Sequence, residues 1–313
     1  MKVLITGANG FIGSYMCDYF LNNNCEVIGL SRRFFPNVRE KLKNATLIEV
    51  DILSENFSSL KLEADIIVHL AASNDIVSRD LARGIELSTL GTVNTLKFAQ
   101  NNGIRNYIFF STLQVYGTEL KGKYSEDTIV KPENDYAMNH LFGEMYVEMY
   151  SRKFDINAVV ARPSNIYGSF LTNEIERWTL VPGCFCKEAI EKGTITLMSS
   201  GKQNRNFISL EQLSYCTLQT ASNIHKKFDI INYVTNDYNT IFEIAKMTQK
   251  IFNEKFDKKI ELKIGSDMPD TKNDFEFKNS KFEKYKIEAN QTNSTHTLET
   301  EILKVIQDLI KIN

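Results

Sequence analysis

The sequence predicts an α/β fold, a doubly wound parallel sheet with a smaller C-terminal lobe. Three observations lead there. Short apolar runs rich in β-branched residues alternate with segments of helical period. The runs are apolar on both faces rather than on one. A glycine-rich turn joins the first run to the first helical segment. The expected strands are Lys2–Thr6, Glu26–Leu30, Thr46–Val50, Ile66–Leu70, Tyr107–Ser111 and Asn157–Ala161. The expected helices between them include Ile12–Asn23, Ser88–Asn102 and Tyr136–Phe154. Fully apolar strands alternating with helices require a sheet covered on both faces.

After Gly168 the pattern becomes irregular, and Asn253–Thr297 is rich in Lys, Asp, Asn and Glu with little clear period. This predicts a loop-rich lobe at the carboxyl ends of the strands, where such sheets bind ligands. The division expected is a nucleotide-binding domain over 1–165, with a return segment near 205–235, and a substrate lobe over 166–204 and 236–313.

The chain has 313 residues, enough for one large α/β domain with an added lobe, and its composition is 42% hydrophobic and 24% charged. A net charge of −2 gives no basic field for nucleic acid or anionic lipid. No apolar stretch is long enough to span a bilayer, and the N-terminus MKVLITGANG lacks the features of a signal peptide. Five cysteines, Cys17, Cys25, Cys184, Cys186 and Cys216, show neither framework nor metal-ligand spacing, so reduced thiols and a cytoplasmic location are expected. Cys184 and Cys186 form a C-x-C with no second pair or neighbouring histidine, so no metal site is expected.

VLITGANGFIG places Gly7, Gly10 and Gly13 between a strand and a helix that starts with Phe11 and Ile12. The glycines allow the backbone to approach a pyrophosphate, and the helix N-terminus offers unpaired N–H groups to it. In this context the motif points to a Rossmann-type NAD(P) site; the alternative is a glycine turn without a ligand. The second strand ends in GLSRR. NAD-specific folds usually carry an acidic residue there for the ribose 2′-hydroxyl. Ser31, Arg32 and Arg33 instead suit a 2′-phosphate, so NADP is expected, with NAD as the alternative. Asp51, in EVDIL, is placed to meet the adenine amino group.

Taken with TGANGFIG, the motifs HLAA (69–72), GTVN (91–94), STLQVYG (111–117), YAMNHLFGE (136–144), RPSNIYG (162–168) and RNFIS (205–209) resemble the extended short-chain dehydrogenase/reductase family, the NAD-dependent epimerase/dehydratase group. The resemblance runs from Met1 to about Leu213. It implies hydride chemistry on a nucleotide-linked sugar, usually at C4. It also implies that Ile52 and Leu70, Ala71 and Ala72 contact the cofactor. Asn165 and Arg205 match positions that meet the diphosphate of the sugar nucleotide. Members often carry a further arginine in the C-terminal lobe; around GSDMPDTKNDF there is only Lys272.

The family pairs a tyrosine with a lysine four residues later on one helix face. The tyrosine is the acid or base for the sugar oxygen, and the lysine holds the nicotinamide ribose and lowers the tyrosine pKa. Here the tyrosine is Tyr136, but the lysine position holds His140. A neutral imidazole donates to a hydroxyl without adding a charge. The pair is read as a working Tyr136–His140 couple, the alternative being impaired catalysis. Thr112 stands where the family has a Ser or Thr bonding the reacting oxygen. Family dehydratases follow it with Asp–Glu; here Leu113 and Gln114 cannot transfer protons, which argues against dehydration. His69 is expected to pack beside the cofactor loop, and His225 and His296 to be surface or structural.

The expected function is therefore a nucleotide-sugar 4-ketoreductase using NADPH. The alternatives are a 4-epimerase retaining NAD and a non-catalytic NADP-binding sensor. A homodimer is expected through Ser88–Asn102 and Tyr136–Phe154, as family members commonly pair these helices.

Overall fold

The computed structural model describes residues 1–225, 227–265, 274–288 and 297–312. β1 (Lys2–Thr6) passes through the glycine turn into α1 (Phe11–Asn22), followed by β2 (Glu26–Ser31), α2 (Pro36–Lys41), β3 (Thr46–Glu49) and α3 (Glu55–Ser59). Next come β4 (Ile66–His69), α4 (Leu81–Ile85), α5 (Gly91–Asn101), β5 (Asn106–Phe110), β6 (Gly122–Tyr124), α6 (Asp135–Lys153) and β7 (Asn157–Pro163). They are followed by β8 (Asn165–Tyr167), α7 (Gly183–Lys192), β9 (Thr194–Leu197), β10 (Asn204–Ser209), α8 (Leu210–Ser222) and β11 (Phe228–Tyr233). The remaining elements are β12 (Tyr238–Thr240), α9 (Ile241–Phe256), β13 (Glu261–Ile264), β14 (Phe275–Phe277) and α10 (Leu298–Ile312).

Seven parallel strands form the main sheet in the order β3-β2-β1-β4-β5-β7-β11. Winding reverses between β1 and β4, which opens a crevice at their carboxyl ends. One apolar cluster, around Phe20, Val68 and Ile108, and a second, around Leu4, Ile67 and Phe109, are built from alternating residues of the same strands and so cover opposite faces. This is the Rossmann-type architecture expected from the apolar runs.

Details differ from the sequence reading. The helix expected over Ser88–Asn102 begins as a π-type turn, Glu86–Leu90, before α5. Gly91 stands at that junction because a Cβ there would press on the Ile52 side chain. Strand β5 ends at Phe110 rather than Ser111, and β7 continues to Pro163. The C-terminal lobe is more regular than its composition suggests. Ile244, Ile251 and Phe252 of α9 and Ile302, Val305 and Ile306 of α10 share a core with Phe185 and Phe207. Their helical periods flank the polar stretch after Asn253, which masks them. Ser209 and Thr240 start α8 and α9 with capping boxes. Asp229 on edge strand β11 holds Lys281, Lys284 and the Tyr285 hydroxyl, fastening the 281–285 segment to the sheet. The His225 ring stacks 5.4 Å from that of Tyr285. Lys272 and His296 lie outside the described residues. Among the described residues no helix is long and apolar enough to cross a membrane.

Candidate active site

A cleft of about 920 Å³ opens at the carboxyl edge of the sheet, lined by the glycine turn, the ends of β5 and β7 and parts of the lobe. Gly7 has φ of +73°, and a Cβ there would sit 3.1 Å from the Ala71 nitrogen. At Gly13 a Cβ would collide with the Gly7 carbonyl. Both positions thus need glycine for the turn to lie flat between helix and strands. Gly10 caps α1 without a side-chain bond, so the first amides of the helix face the cleft without a side-chain acceptor. His69 is buried below this turn, with Nδ1 2.7 Å from the Thr6 hydroxyl and Nε2 3.2 Å from that of Thr92. Burial, with His140 nearby, holds its pKa down to about 3. It fixes the loop as a neutral hydrogen-bonding side chain.

Of the residues expected at the cofactor, Phe11, Ile12, Arg33, Leu70 and Ala72 line the cleft together with the three glycines. The Arg33 guanidinium lies 5.2 Å from the centre of the Phe35 ring. Ser31, Arg32, Asp51, Ile52 and Ala71 do not line it. Arg32 is exposed beside it. The Asp51 carboxylate accepts from the Leu53 backbone at 2.9 Å, and Ile52 is packed in the core. The Ala71 backbone N–H donates to the Thr6 hydroxyl at 3.1 Å.

Tyr136 and His140 both line the cleft, with ring centres 4.6 Å apart in an edge-on arrangement. Asn134 caps α6 by accepting from the Ala137 N–H at 2.9 Å, which sets the register of the pair. Burial pushes the Tyr136 phenol above its ordinary pKa; the Thr112 hydroxyl and Arg177 oppose that rise, and Asp75 adds to it. His140 is 5% exposed. Burial lowers its pKa to about 4, against a small opposing effect of its bond to the Phe110 carbonyl. Its Nδ1 is buried without a partner among the described residues. A neutral ring that donates to a carbonyl through one nitrogen leaves the other as a bare acceptor.

Thr112 caps the short turn after β5, accepting from the Gln114 N–H at 3.2 Å. Leu113 and Gln114 follow it into the cleft wall, and the Gln114 side-chain oxygen accepts from Asn134 Nδ2 at 3.1 Å. Behind them Arg162 grips Glu144 through two bonds of 2.9 and 2.6 Å and donates to the Tyr116 hydroxyl at 2.8 Å. This buried pair ties β7 to α6. Asn165 and Arg205 line the far part of the cleft. Asn165 donates to the Asn206 carbonyl at 2.9 Å. Arg205 bonds the Asn204 carbonyl at 3.3 Å and has no carboxylate partner among the described residues, and burial lowers its pKa.

The sequence reading did not single out Glu174, Ile175, Glu176 and Arg177, which also line the cleft. They sit in an irregular stretch whose local pattern carries no signal.

The arrangement fits a dinucleotide. The uncapped helix amides suit a pyrophosphate, and the orphaned His140 acceptor suits a ribose hydroxyl.

Comparison with known proteins agrees with this geometry. The sequence pattern described as the NAD dependent epimerase/dehydratase family matches residues 3–232. An uncharacterized UDP-glucose epimerase of Bacillus subtilis is 30% identical over 224 residues, covering 66% of this chain and 68% of its own. A dTDP-4-dehydro-6-deoxy-D-allose reductase of Streptomyces is 24% identical over 266 residues, 80% of each chain. The crystal structure of a Bacillus cereus UDP-glucuronic acid 4-epimerase in complex with NAD superposes with a TM-score of 0.83 at 23% identity, covering 100% of this chain and 97% of that one. That likeness shows a shared fold.

Proposed function

Since the chain belongs to the NAD-dependent epimerase/dehydratase family, we propose that it is a nucleotide-sugar oxidoreductase that reduces a 4-keto nucleotide sugar. The observation that carries this is the buried, uncharged His140 beside Tyr136. The position that holds a lysine in the resembling family adds no positive charge here. Arg177, whose charge does reach Tyr136, is paired with Asp75. The phenol therefore keeps its proton at neutral pH, the state a reduction needs and an alcohol oxidation does not.

A dinucleotide held in the cleft would supply the hydride. Tyr136 donates its proton to the oxygen of the reduced carbonyl, and the Thr112 hydroxyl bonds that oxygen and orients it. His140 Nδ1, buried without a partner among the described residues, would accept from the nicotinamide ribose. The Gly7–Gly13 turn and the first amides of α1 would hold the pyrophosphate. NADPH is favoured because Ser31 rather than an acid ends β2, and because the Arg33 guanidinium lines the cleft with Arg32 exposed next to it, where charge-assisted bonds to a 2′-phosphate would form. Asn165 and Arg205 hold the diphosphate of the sugar nucleotide, with 166–204 and 236–313 as the substrate lobe. Leu113 and Gln114 leave no acid–base pair for dehydration.

A second reading, 4-epimerisation with retained NAD, is favoured by the names of the Bacillus subtilis and Bacillus cereus relatives. One experiment separates the two. Purified protein is given a 4-keto nucleotide sugar with NADPH or NADH, and reduced cofactor is followed by absorbance. Stoichiometric consumption is expected. Interconversion of C4 epimers when the protein is given a 4-hydroxy nucleotide sugar instead, with no net consumption of cofactor, would establish the epimerase.

The active unit is read as a homodimer. Met138, Phe142, Met145 and Met149 form one exposed stripe on α6, and Leu90 and Ile85 extend it. Spacing of three and four residues puts the α6 side chains on one helix face. A second copy related by a two-fold axis is the simplest cover for it.

A further inference from the structure

We propose that residues 173–177 form a strap that gates the dinucleotide cleft and controls cofactor exchange. This rests on the reading that the cleft takes a dinucleotide.

The strap is fastened at two ends. The Glu174 carboxylate accepts from the Asn37 backbone N–H at 2.9 Å, in the first turn of α2. Arg177 forms an ion pair with Asp75, and its other terminal nitrogen donates to the Thr179 hydroxyl at 2.8 Å. Asn37 follows β2 and Asp75 follows β4. In the sheet β1 lies between those two strands. A segment attached beyond both must therefore cross the glycine turn that follows β1. Glu174, Ile175, Glu176 and Arg177 line the same cleft as Gly7, Gly10 and Gly13, which places the crossing over the groove itself. Ile175, 4% exposed, is seated in the core between the fastenings. At the base of the segment the Phe170 ring lies 5.0 Å from that of Phe11, the first residue of α1, and 4.3 Å from that of Trp178.

The fastenings suit opening as well as closing. The Asp75 side chain is 48% exposed and that of Arg177 20% exposed, so water competes for both partners. The Asn37 contacts lie at an exposed helix end: the backbone bond to Glu174 and a longer one, 3.5 Å, from its side-chain amide to the Asn173 side-chain oxygen. The strap is held in its middle by the buried Ile175 side chain and at its ends by solvent-accessible polar contacts, so weakening the ends lowers the cost of lifting it from the groove. For a reductase this matters at every turnover, because the oxidised dinucleotide must leave before the reduced form enters. Opening of the strap then sets the ceiling on turnover.

The test uses the full chain loaded with reduced dinucleotide. Release into excess oxidised dinucleotide and binding from solution are followed by nicotinamide fluorescence in stopped flow. Asp75→Asn and Glu174→Gln each weaken one fastening, and the double variant weakens both. A gate predicts that release and binding rates rise together, by up to about fivefold for each fastening, with the equilibrium constant little changed. Unaltered rates in the double variant overturn the gate. So does a rise in the release rate alone, since that marks an ordinary ligand contact. Absence of any dinucleotide binding in the wild type would overturn the cofactor reading and the gate with it.

Discussion

His140→Lys returns a charge to the side of Tyr136, and the size of its effect follows from the geometry. The two rings are 4.6 Å apart between centres. An ammonium roughly 5 Å from the phenol oxygen, at an effective dielectric of about 20, favours the phenolate by ~3 kcal/mol. That corresponds to about two pK units. The imidazole supplies nothing comparable, because burial holds its pKa down to about 4 and it is neutral at pH 7. The lysine variant should therefore lower the apparent pKa of Tyr136 by up to about two units, with desolvation of the ammonium reducing the shift. The assay is kcat/KM against pH in both directions. In the oxidative direction, which needs phenolate, the pKa of the acidic limb should move down and the rate near neutrality should rise. In the reductive direction, which needs phenol, activity should be lost at correspondingly lower pH. A folded variant with the wild-type profile in both directions would refute the electrostatic account of this pair.

Tyr136→Phe should lower reduction by about 10²–10⁴-fold while leaving dinucleotide affinity nearly intact; activity within tenfold of wild type defeats the assignment. Arg32→Ala with Arg33→Ala should weaken NADPH far more than NADH, by roughly 1.5–3 kcal/mol for each charge-assisted bond lost, and an unchanged preference in titrations refutes the 2′-phosphate reading. Acid should destabilise the fold through His140. Its folded pKa of about 4 lies below the ordinary 6.5, so the unfolded chain takes the proton first. The stability is present above pH 6.5 and is lost as pH falls toward 4, about 3 kcal/mol in all. Urea midpoints at pH 7 and pH 5 should show the loss, and His140→Gln should show less of it. Phe142→Lys with Met145→Lys should give a folded monomer by light scattering, and a persistent dimer would place the interface elsewhere.

Much of this protein was legible in the order of its residues. Continuous apolar runs between helical periods determined a covered parallel sheet, because a strand buried on both faces leaves no polar alternation. Gly7, Gly10 and Gly13 determined the turn, since packing at Gly7 and Gly13 excludes a Cβ. The spacing of Tyr136 and His140 put both on one face of α6, and Leu113 with Gln114 showed the missing acid–base pair. These are local facts, set within a turn or two of backbone. What tertiary structure decided is of another kind. The neutrality of His140 comes from burial against Phe109 and Tyr136, which chain position does not reveal. The edge strand β11 joins β7 across a long intervening segment. The strap is the clearest case: its fastenings join residues 102 and 137 positions apart. No periodicity links such partners. They meet only because β4, β1 and β2 are neighbours in the sheet, and that order is a property of the packed fold rather than of any stretch of sequence.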